Sequence, residues 1–146
     1  MENLESFVKQ NNLERAREYF SKDRFATVNG MVIDDVGDDY VVCSMEIRDD
    51  HRNALGNVMG GAVFTLADFA AAVMSNWGKR PCVSLVSQIT YLSAAKGSRL
   101  IAEARPVKEG RSTGYYEVMV TDNMGTKVAH VTNNGFVIGK KTEVEK

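Results

Sequence analysis

The sequence predicts an α+β fold built around an antiparallel sheet. Its 146 residues suit one domain, and 44% hydrophobic with 25% charged residues is an ordinary composition for a globular chain. Two helical and six strand-like patterns follow one another in the order helix, two strands, helix, four strands. Because the strands form runs rather than alternating with helices, a doubly wound parallel sheet is disfavoured. The second helix is apolar on nearly every face, so we expect the sheet to wrap around it.

The first third of the chain predicts a helix, two strands and a polar loop. Residues 2–21 carry apolar side chains at roughly helical spacing, and neither Gly nor Pro interrupts them. Residues 25–36 are rich in β-branched side chains and end in the turn-like Gly37-Asp38-Asp39. Residues 40–47 alternate between apolar and polar, as a half-buried strand does. Residues 48–59 are polar and irregular, which predicts a loop.

Four strands are predicted after the second helix, which spans residues 60–77. They cover residues 83–92, 99–107, 112–122 and 127–138. Turn residues separate the later strands at Lys96-Gly97, Glu109-Gly110 and Asp122-Asn123-Met124-Gly125. The chain thus divides into an N-terminal helical extension (1–24), a main domain (25–139) and a charged tail (140–146) that we expect to be frayed.

Charge is distributed unevenly along the chain. Overall, 18 basic and 19 acidic side chains give a formal net charge of −1, which argues against a nucleic-acid-binding protein. Residues 25–76 hold eight acidic and two basic side chains, net −6, whereas residues 77–146 hold six acidic and 11 basic ones, net +5. A basic C-terminal half predicts a local site for an anion, but surface charge that balances on folding explains it equally well.

Cysteine content and hydropathy indicate the cellular compartment in which we expect the protein. Cys43 and Cys82 are too few for a disulfide framework and form no metal-spaced cluster, which favours a reducing, cytoplasmic setting. The chain shows no basic-then-apolar leader and no run of 18 apolar residues. We therefore expect neither secretion nor insertion into a membrane.

The second helix carries one ionisable side chain, Asp68, among apolar residues. A carboxylate taken out of water is costly unless it is paired or hydrogen-bonded. A lone acid on a buried helix is therefore a candidate nucleophile or general base with a perturbed pKa. The alternative is that Asp68 lies on a narrow exposed stripe with Thr65 and Asn76, and the pattern alone does not decide between the two.

Two glycines, Gly60 and Gly61, begin this helix. Unpaired first-turn N–H groups are candidate donors to a carbonyl oxygen that gains negative charge, although a tight helix entry explains the pair as well. Asp68 lies eight residues beyond Gly60, roughly 12 Å along the axis at about 1.5 Å per residue. One copy of the helix cannot bring both groups to one carbonyl, since reacting atoms must lie within about 3.5 Å. If both act in one reaction, two antiparallel copies must share sites, and the protein is at least a dimer.

The run HRNALGNVMGGAVFTLAD (residues 51–68) resembles the signature of the PaaI-type hotdog-fold acyl-CoA thioesterases. The downstream segments ITYLSAAKG (residues 89–97) and Glu109-Gly110-Arg111 resemble the same family, and the likeness covers roughly residues 25–138. It implies a hotdog fold, in which an antiparallel sheet wraps a long central helix, paired as a dimer and often as a dimer of dimers. It also implies hydrolysis of an acyl-CoA thioester, with CoA as part of the substrate and no metal or redox cofactor.

The resemblance implies a catalytic role for four positions. Asp68 corresponds to the carboxylate that attacks the thioester or activates water, and both roles need the same residue in the same place. Gly60 corresponds to the residue whose N–H, from the opposite subunit, binds the thioester oxygen. Asn53 corresponds to the loop residue that helps place the carbonyl or the water. Ser84 corresponds, more loosely, to the hydroxyl residue that assists the water in some members.

The resemblance also implies positions that bind the substrate. Arg111, with Lys108 and Lys96 as weaker choices, would meet the CoA phosphates, in agreement with the basic C-terminal half. Met59 and Gly61, which flank Gly60, are expected to contact the substrate.

Position 59 departs from the family, which usually has His-Gly-Gly where this chain has Met59-Gly60-Gly61. A thioether neither donates a strong hydrogen bond nor carries charge. A lost supporting donor costs about 1–3 kcal/mol, a rate loss of roughly tenfold to a few hundredfold. Since Gly60 and Asp68 both remain, we expect a hydrolase, and the alternative is a non-catalytic acyl-CoA-binding dimer. A hotdog hydratase is disfavoured, because its motif has a His five residues after the Asp, where this chain has Val73.

Overall fold

The computed structural model of the chain describes residues 3–139, so the tail predicted at 140–146 lies outside the described residues. The helices are α1 (Leu4–Phe20), α2 (Arg24–Val28) and α3 (Gly60–Asn76), with a short 3₁₀ turn at Asp49–His51. The strands are β1 (Met31–Val36), β2 (Val41–Glu46), β3 (Cys82–Tyr91), β4 (Arg99–Glu109), β5 (Thr113–Asp122) and β6 (Lys127–Val137). The predicted helices and strands are therefore present, with most ends shifted by one or two residues.

The six strands form one antiparallel sheet in the order β1-β2-β4-β5-β6-β3. Alternate residues of the central strands turn small or β-branched side chains towards α3, among them Ala102, Ala104, Val118 and Val120, all fully buried. Small side chains let a helix lie close to a sheet, and α3 accordingly packs against β4, β2 and β5. This arrangement confirms the predicted α+β class.

α3 is the most apolar of the helices and has 17 residues. Its side chains Val63, Leu66, Ala67, Ala70 and Val73 lie in the core. Within residues 3–139, no helix combines the length and the apolar character that crossing a bilayer requires.

The strand predicted over residues 25–36 is only half right. Its first residues form α2, and β1 begins at Met31, after Gly30 has turned the chain with a φ of +82°. The Asn29 side chain donates from Nδ2 to the Phe25 carbonyl oxygen at 2.7 Å, and Ala26 is buried. The β-branched content of this segment is a weak preference, and packing of Ala26 into the core outweighs it.

α1 packs against β1 and against the C-terminal end of α3, and hydrogen bonds hold it there. Arg17 Nε donates to the Ile33 carbonyl at 2.8 Å, and Trp77 Nε1 donates to Asn12 Oδ1 at 3.0 Å. The Phe20 ring contacts both Trp77 and Phe69. The N-terminal helix is therefore packed against the sheet and α3 rather than detached from them.

β3 lies at one edge of the sheet, paired with β6 on one side and with no strand of residues 3–139 on the other. Its side chains Val83, Leu85, Val86 and Tyr91 are 44–63% exposed. A ten-residue apolar strand with a free edge is a template for pairing with another chain.

Candidate functional site

One face of α3 is left open by the sheet. Gly61 and Asp68 are exposed there, and Thr65 and Ala72 between and beyond them are half-buried. Of the two alternatives that the sequence leaves open for Asp68, the exposed stripe describes its position within its own chain. The physical reason is that a single sheet covers one side of a helix only. Asn76 does not join the stripe, because its side chain is engaged with the Ala72 carbonyl and the Cys82 amide.

Asp68 nevertheless lies in a concavity rather than on a convex surface. A cavity of about 290 Å³ is lined by Asp68 and Phe69 of α3 and by Asp23, Arg24 and Phe25 at the start of α2. Partial burial raises the pKa of the Asp68 carboxyl, and the negative charge of Asp23 raises it further. A carboxylate with a raised pKa is a stronger proton acceptor than an ordinary aspartate.

The first turn of α3 offers unpaired donors. No acceptor among residues 3–139 takes the amide hydrogen of Gly60 or of Gly61. Met59 precedes them in an extended conformation, with φ −61° and ψ 137°, and its side chain makes no capping hydrogen bond. The two amides therefore have the chemistry that a developing oxyanion needs.

An apolar cavity of about 370 Å³ lies beside these amides. Met59 and Gly61, the two positions predicted to contact the substrate, line it together with Ala62, Phe64 and Met31. Met59 is 57% exposed. A hydrocarbon or aromatic group fits such a lining better than a charged one.

His51 is a structural residue beneath this cavity. It is buried, its Nδ1 accepts from the Arg48 amide at 3.0 Å, and its Nε2 faces the Asn29 carbonyl at 3.0 Å. These partners fit a neutral ring that carries its proton on Nε2. The His51 carbonyl accepts the Met59 amide at 2.8 Å, so this residue also fixes the entry into α3.

Asn53 organises the loop in front of α3. Its Oδ1 accepts from the amides of Leu55 and Asn57, at 3.0 and 3.2 Å. These two bonds fix which side-chain atom is the oxygen. The Asn53 Nδ2 has no acceptor among residues 3–139, which leaves it available as a donor to a ligand.

Ser84 belongs to a hydrogen-bonded group that the sequence did not reveal. The buried Asn133 on β6 donates from Nδ2 to Ser84 Oγ at 2.8 Å and to Ser87 Oγ at 2.7 Å, across a bulge in β3. The structure thus holds the Ser84 hydroxyl in a fixed orientation. The alternation of β6 places Asn133 on the same face as the buried Ala129 and Val131, but it does not indicate that the Asn133 side chain bonds to Ser84 and Ser87.

The basic positions fall into two separate places. Lys108 and Arg111 lie at the end of β4 and in the turn after it, and neither has a carboxylate within 4.0 Å among residues 3–139. Lys96 precedes the start of β4, where its backbone amide is bonded to Asp122 at 2.7 Å. The 11 residues of β4 separate the two places by roughly 30 Å at about 3.3 Å per residue. One protomer does not bring Lys96 together with Arg111.

Gly60 and Asp68 are also kept apart within one protomer. They lie on the same helix, eight residues from each other, so the expected axial separation of roughly 12 Å holds. The structure therefore brings Met59, Gly60 and Gly61 together at one end of α3 and leaves Asp68 half-way along it.

A sequence model of the Thioesterase superfamily matches residues 55–129, which is more than half of the chain. The chain belongs to the Thioesterase superfamily. The matched segment includes the first turn of α3 and Asp68.

Two curated proteins have similar sequences. An Archaeoglobus fulgidus protein named provisionally as an esterase is 31% identical over 119 residues, which cover 80% of this chain and 77% of that protein. Human acyl-coenzyme A thioesterase 13 is 32% identical over 91 residues, which cover 60% of this chain and 65% of that protein.

Solved structures confirm the hotdog fold. The PaaI protein of E. coli superposes with a TM-score of 0.83 over 91% of this chain and 97% of that one, at 23% identity. A Streptococcus mutans protein determined bound to acetyl CoA has a TM-score of 0.73 and 31% identity, over 77% of this chain and 92% of that one.

Proposed function

We propose that this protein hydrolyses an acyl-CoA thioester to the free acid and CoA. The observation that carries the proposal is that α3 presents, on one open face, two unpaired amides and a carboxyl of raised pKa. Membership of the Thioesterase superfamily, the name of the human relative and the acetyl CoA in the Streptococcus mutans structure support the same chemistry.

The site is completed by a second copy of the chain. Tyr91 of β3 contacts Gly60, and the Cys82 amide contacts Asn76, so β3 runs antiparallel to α3 beside it. Two copies that pair their free β3 edges about a two-fold axis therefore also place their α3 helices antiparallel. If the axis passes level with residue 64, midway between positions 60 and 68, Gly60 of each chain lies beside Asp68 of the other. A homodimer, or a dimer of such dimers, then holds two equivalent sites.

The proposed reaction uses Asp68 as the general base. The carboxylate takes a proton from water, and the hydroxide oxygen adds to the thioester carbonyl carbon. The carbonyl oxygen becomes negative and is held by the amide of Gly60 from the opposite subunit. The C–S bond then breaks, and CoA leaves as the thiolate, which takes up the proton held by Asp68. The acid is released and Asp68 is again a carboxylate. Direct attack by the Asp68 carboxylate would need the same placement.

The remaining positions orient the substrate in this proposal. Asn53 donates from its free Nδ2 to the carbonyl or the water, and Ser84, held by Asn133, orients the water. Met59 and Gly61 line the cavity for the acyl group.

The CoA phosphates would bind to the unpaired Arg111 and Lys108. Lys96 can join the same phosphates only across a subunit interface, because β4 separates it from the other two within one chain. The proposal includes no resident cofactor, because the hydrolysis of a thioester involves no oxidation or reduction. CoA arrives as part of the substrate. A reducing cytoplasm suits the two free thiols, Cys43 and Cys82.

The direct test is release of CoA from a panel of acyl-CoA esters of short, medium and aryl acyl groups, followed with a thiol reagent. We expect steady turnover of at least one member, with the Asp68→Asn variant as the blank. Binding of acyl-CoA without turnover would instead support the non-catalytic binding dimer, which the absence of a capping hydrogen bond from the Met59 side chain favours.

The pH dependence of this activity is expected to respond to Asp23. The unprotonated Asp68 is the active form, so the acid limb of the kcat/KM profile follows the pKa of Asp68. Among the groups lining the cavity, Asp23 raises that pKa and Arg24 carries the opposite charge, while α3 holds no other ionisable residue. In Asp23→Asn the pKa of Asp68 falls, and the acid limb moves to lower pH. Burial remains, so the limb stays above the position expected for an ordinary aspartate.

The measurement is kcat/KM between about pH 3 and pH 8, which brackets the ordinary and raised values of a carboxyl pKa. Asp38→Asn, which removes a charge outside the cavity, is the matched control and is expected to leave the limb in place. An unshifted limb in Asp23→Asn, or a shift to higher pH, would contradict the assignment.

A further inference from the structure

Tyr91, the last residue of β3, reaches across to the start of α3. Its hydroxyl donates to the Gly60 carbonyl oxygen at 2.9 Å. A Cβ built on Gly60 would lie 2.7 Å from the Tyr91 oxygen. The hydrogen bond therefore depends on glycine at position 60, because any side chain there would have to displace the phenol.

This bond acts on a peptide group that faces the proposed oxyanion. The Gly60 carbonyl and the Gly61 amide belong to one planar peptide, so holding its oxygen also fixes the direction of its N–H. A hydrogen bond accepted by the carbonyl polarises the same peptide and strengthens its N–H as a donor. The preceding peptide, which carries the Gly60 amide, is held similarly, since the Met59 carbonyl accepts from the amides of Ala62 and Val63.

We propose that Tyr91 is a positioning residue for the oxyanion site, holding the Gly60–Gly61 peptide so that the Gly61 amide acts as a second donor beside the Gly60 amide. The inference rests on the proposed function and names a residue on which that function depends. Tyr91 supports the helix entry at the point where the Met59 side chain makes no hydrogen bond.

The test is the Tyr91→Phe variant, which keeps the ring and removes the hydrogen bond. Tyr91→Phe removes one hydrogen bond that holds the Gly60–Gly61 peptide, and we expect this loss to lower kcat by roughly tenfold. KM and the position of the acid limb are expected to stay unchanged, because neither substrate contacts nor Asp68 is altered. Tyr115→Phe, on the exposed face of β5, is the matched control and is expected to keep full activity. Oligomeric state and melting temperature are measured for both, since Tyr91 lies at the free edge of the sheet.

A double-variant cycle separates positioning from a merely structural role. Gly60→Ala keeps the amide but displaces the phenol, so it is expected to lower kcat about as much as Tyr91→Phe does. Combining the two is expected to add no further loss, since both remove the same hydrogen bond.

Each outcome decides between the two proposals. A wild-type protein without thioester turnover overturns the proposed function and this inference with it. If the wild type is active and Asp68→Asn is not, three results overturn the inference alone: an unchanged kcat in Tyr91→Phe, a loss confined to KM, or an equal loss in Tyr115→Phe.

Discussion

Asp68→Asn is expected to lower kcat by at least about a hundredfold, the low end of the contribution of a positioned general base. Asparagine has nearly the same shape and cannot accept the proton of the attacking water. The substitution therefore removes the chemical step while the cavity keeps its lining of Asp23, Arg24 and Phe25. The measurement is steady-state CoA release on whichever ester the wild type turns over best.

Stability gives the control for this variant. The pKa of Asp68 is raised in the folded chain by burial and by Asp23, so ionised Asp68 disfavours folding at neutral pH. Protonated Asp68 stabilises the folded chain relative to the ionised form. This stabilisation is fully present below the ordinary aspartate pKa and is lost as the pH rises through the raised pKa of the folded state. Asparagine stays neutral, so the melting temperature of Asp68→Asn is expected to equal or exceed that of the wild type at neutral pH. Equal turnover by the variant, or activity lost together with the fold, would contradict the assigned role.

The sequence predicts the fold well where the hydrophobic periodicity is strong and where turn residues mark the ends of the elements. α3 is apolar over 17 residues, and the later strands are bounded by turn residues such as Glu109-Gly110. Residues 25–28 were predicted wrongly as strand, because the five-residue α2 has too few positions to show a period. Its helical form is decided by burial of Ala26, which is a property of the tertiary structure.

Some residues of the candidate site could likewise be named from the sequence, and others could not. Asp68, Gly60 and Asn53 could be named from the sequence, because a lone acid, a glycine pair and the family resemblance mark them. Asp23 and Tyr91 could not, since they reach α3 from other parts of the chain, and no local pattern indicates what a side chain meets across the fold. The sequence left the exposure of Asp68 undecided, because hydrophobicity around a helix does not show which neighbour, another strand or another copy, covers each face.

Shared sites predict that two inactive variants restore activity when they are mixed. Gly60→Pro removes the amide that is proposed to hold the oxyanion, and loss of such a donor costs about 10²–10³ in kcat. Proline is tolerated at the first position of a helix, and the extended Met59, with φ −61° and ψ 137°, suits the residue before a proline. Gly60→Ala, which places a Cβ in the same space but keeps the amide, is the matched control and is expected to lose far less.

In a mixed dimer of Gly60→Pro and Asp68→Asn chains, one site combines the intact Gly60 of one chain with the intact Asp68 of the other. The second site lacks both groups. After subunit exchange of equal amounts, about half of the dimers are mixed and each has one working site of two, so about a quarter of the wild-type rate is expected. Sites built within one chain would give no recovery, since every chain then carries a defect in its own site. The rate measured before and after exchange therefore decides whether Gly60 and Asp68 act across the dimer, as their separation along α3 requires.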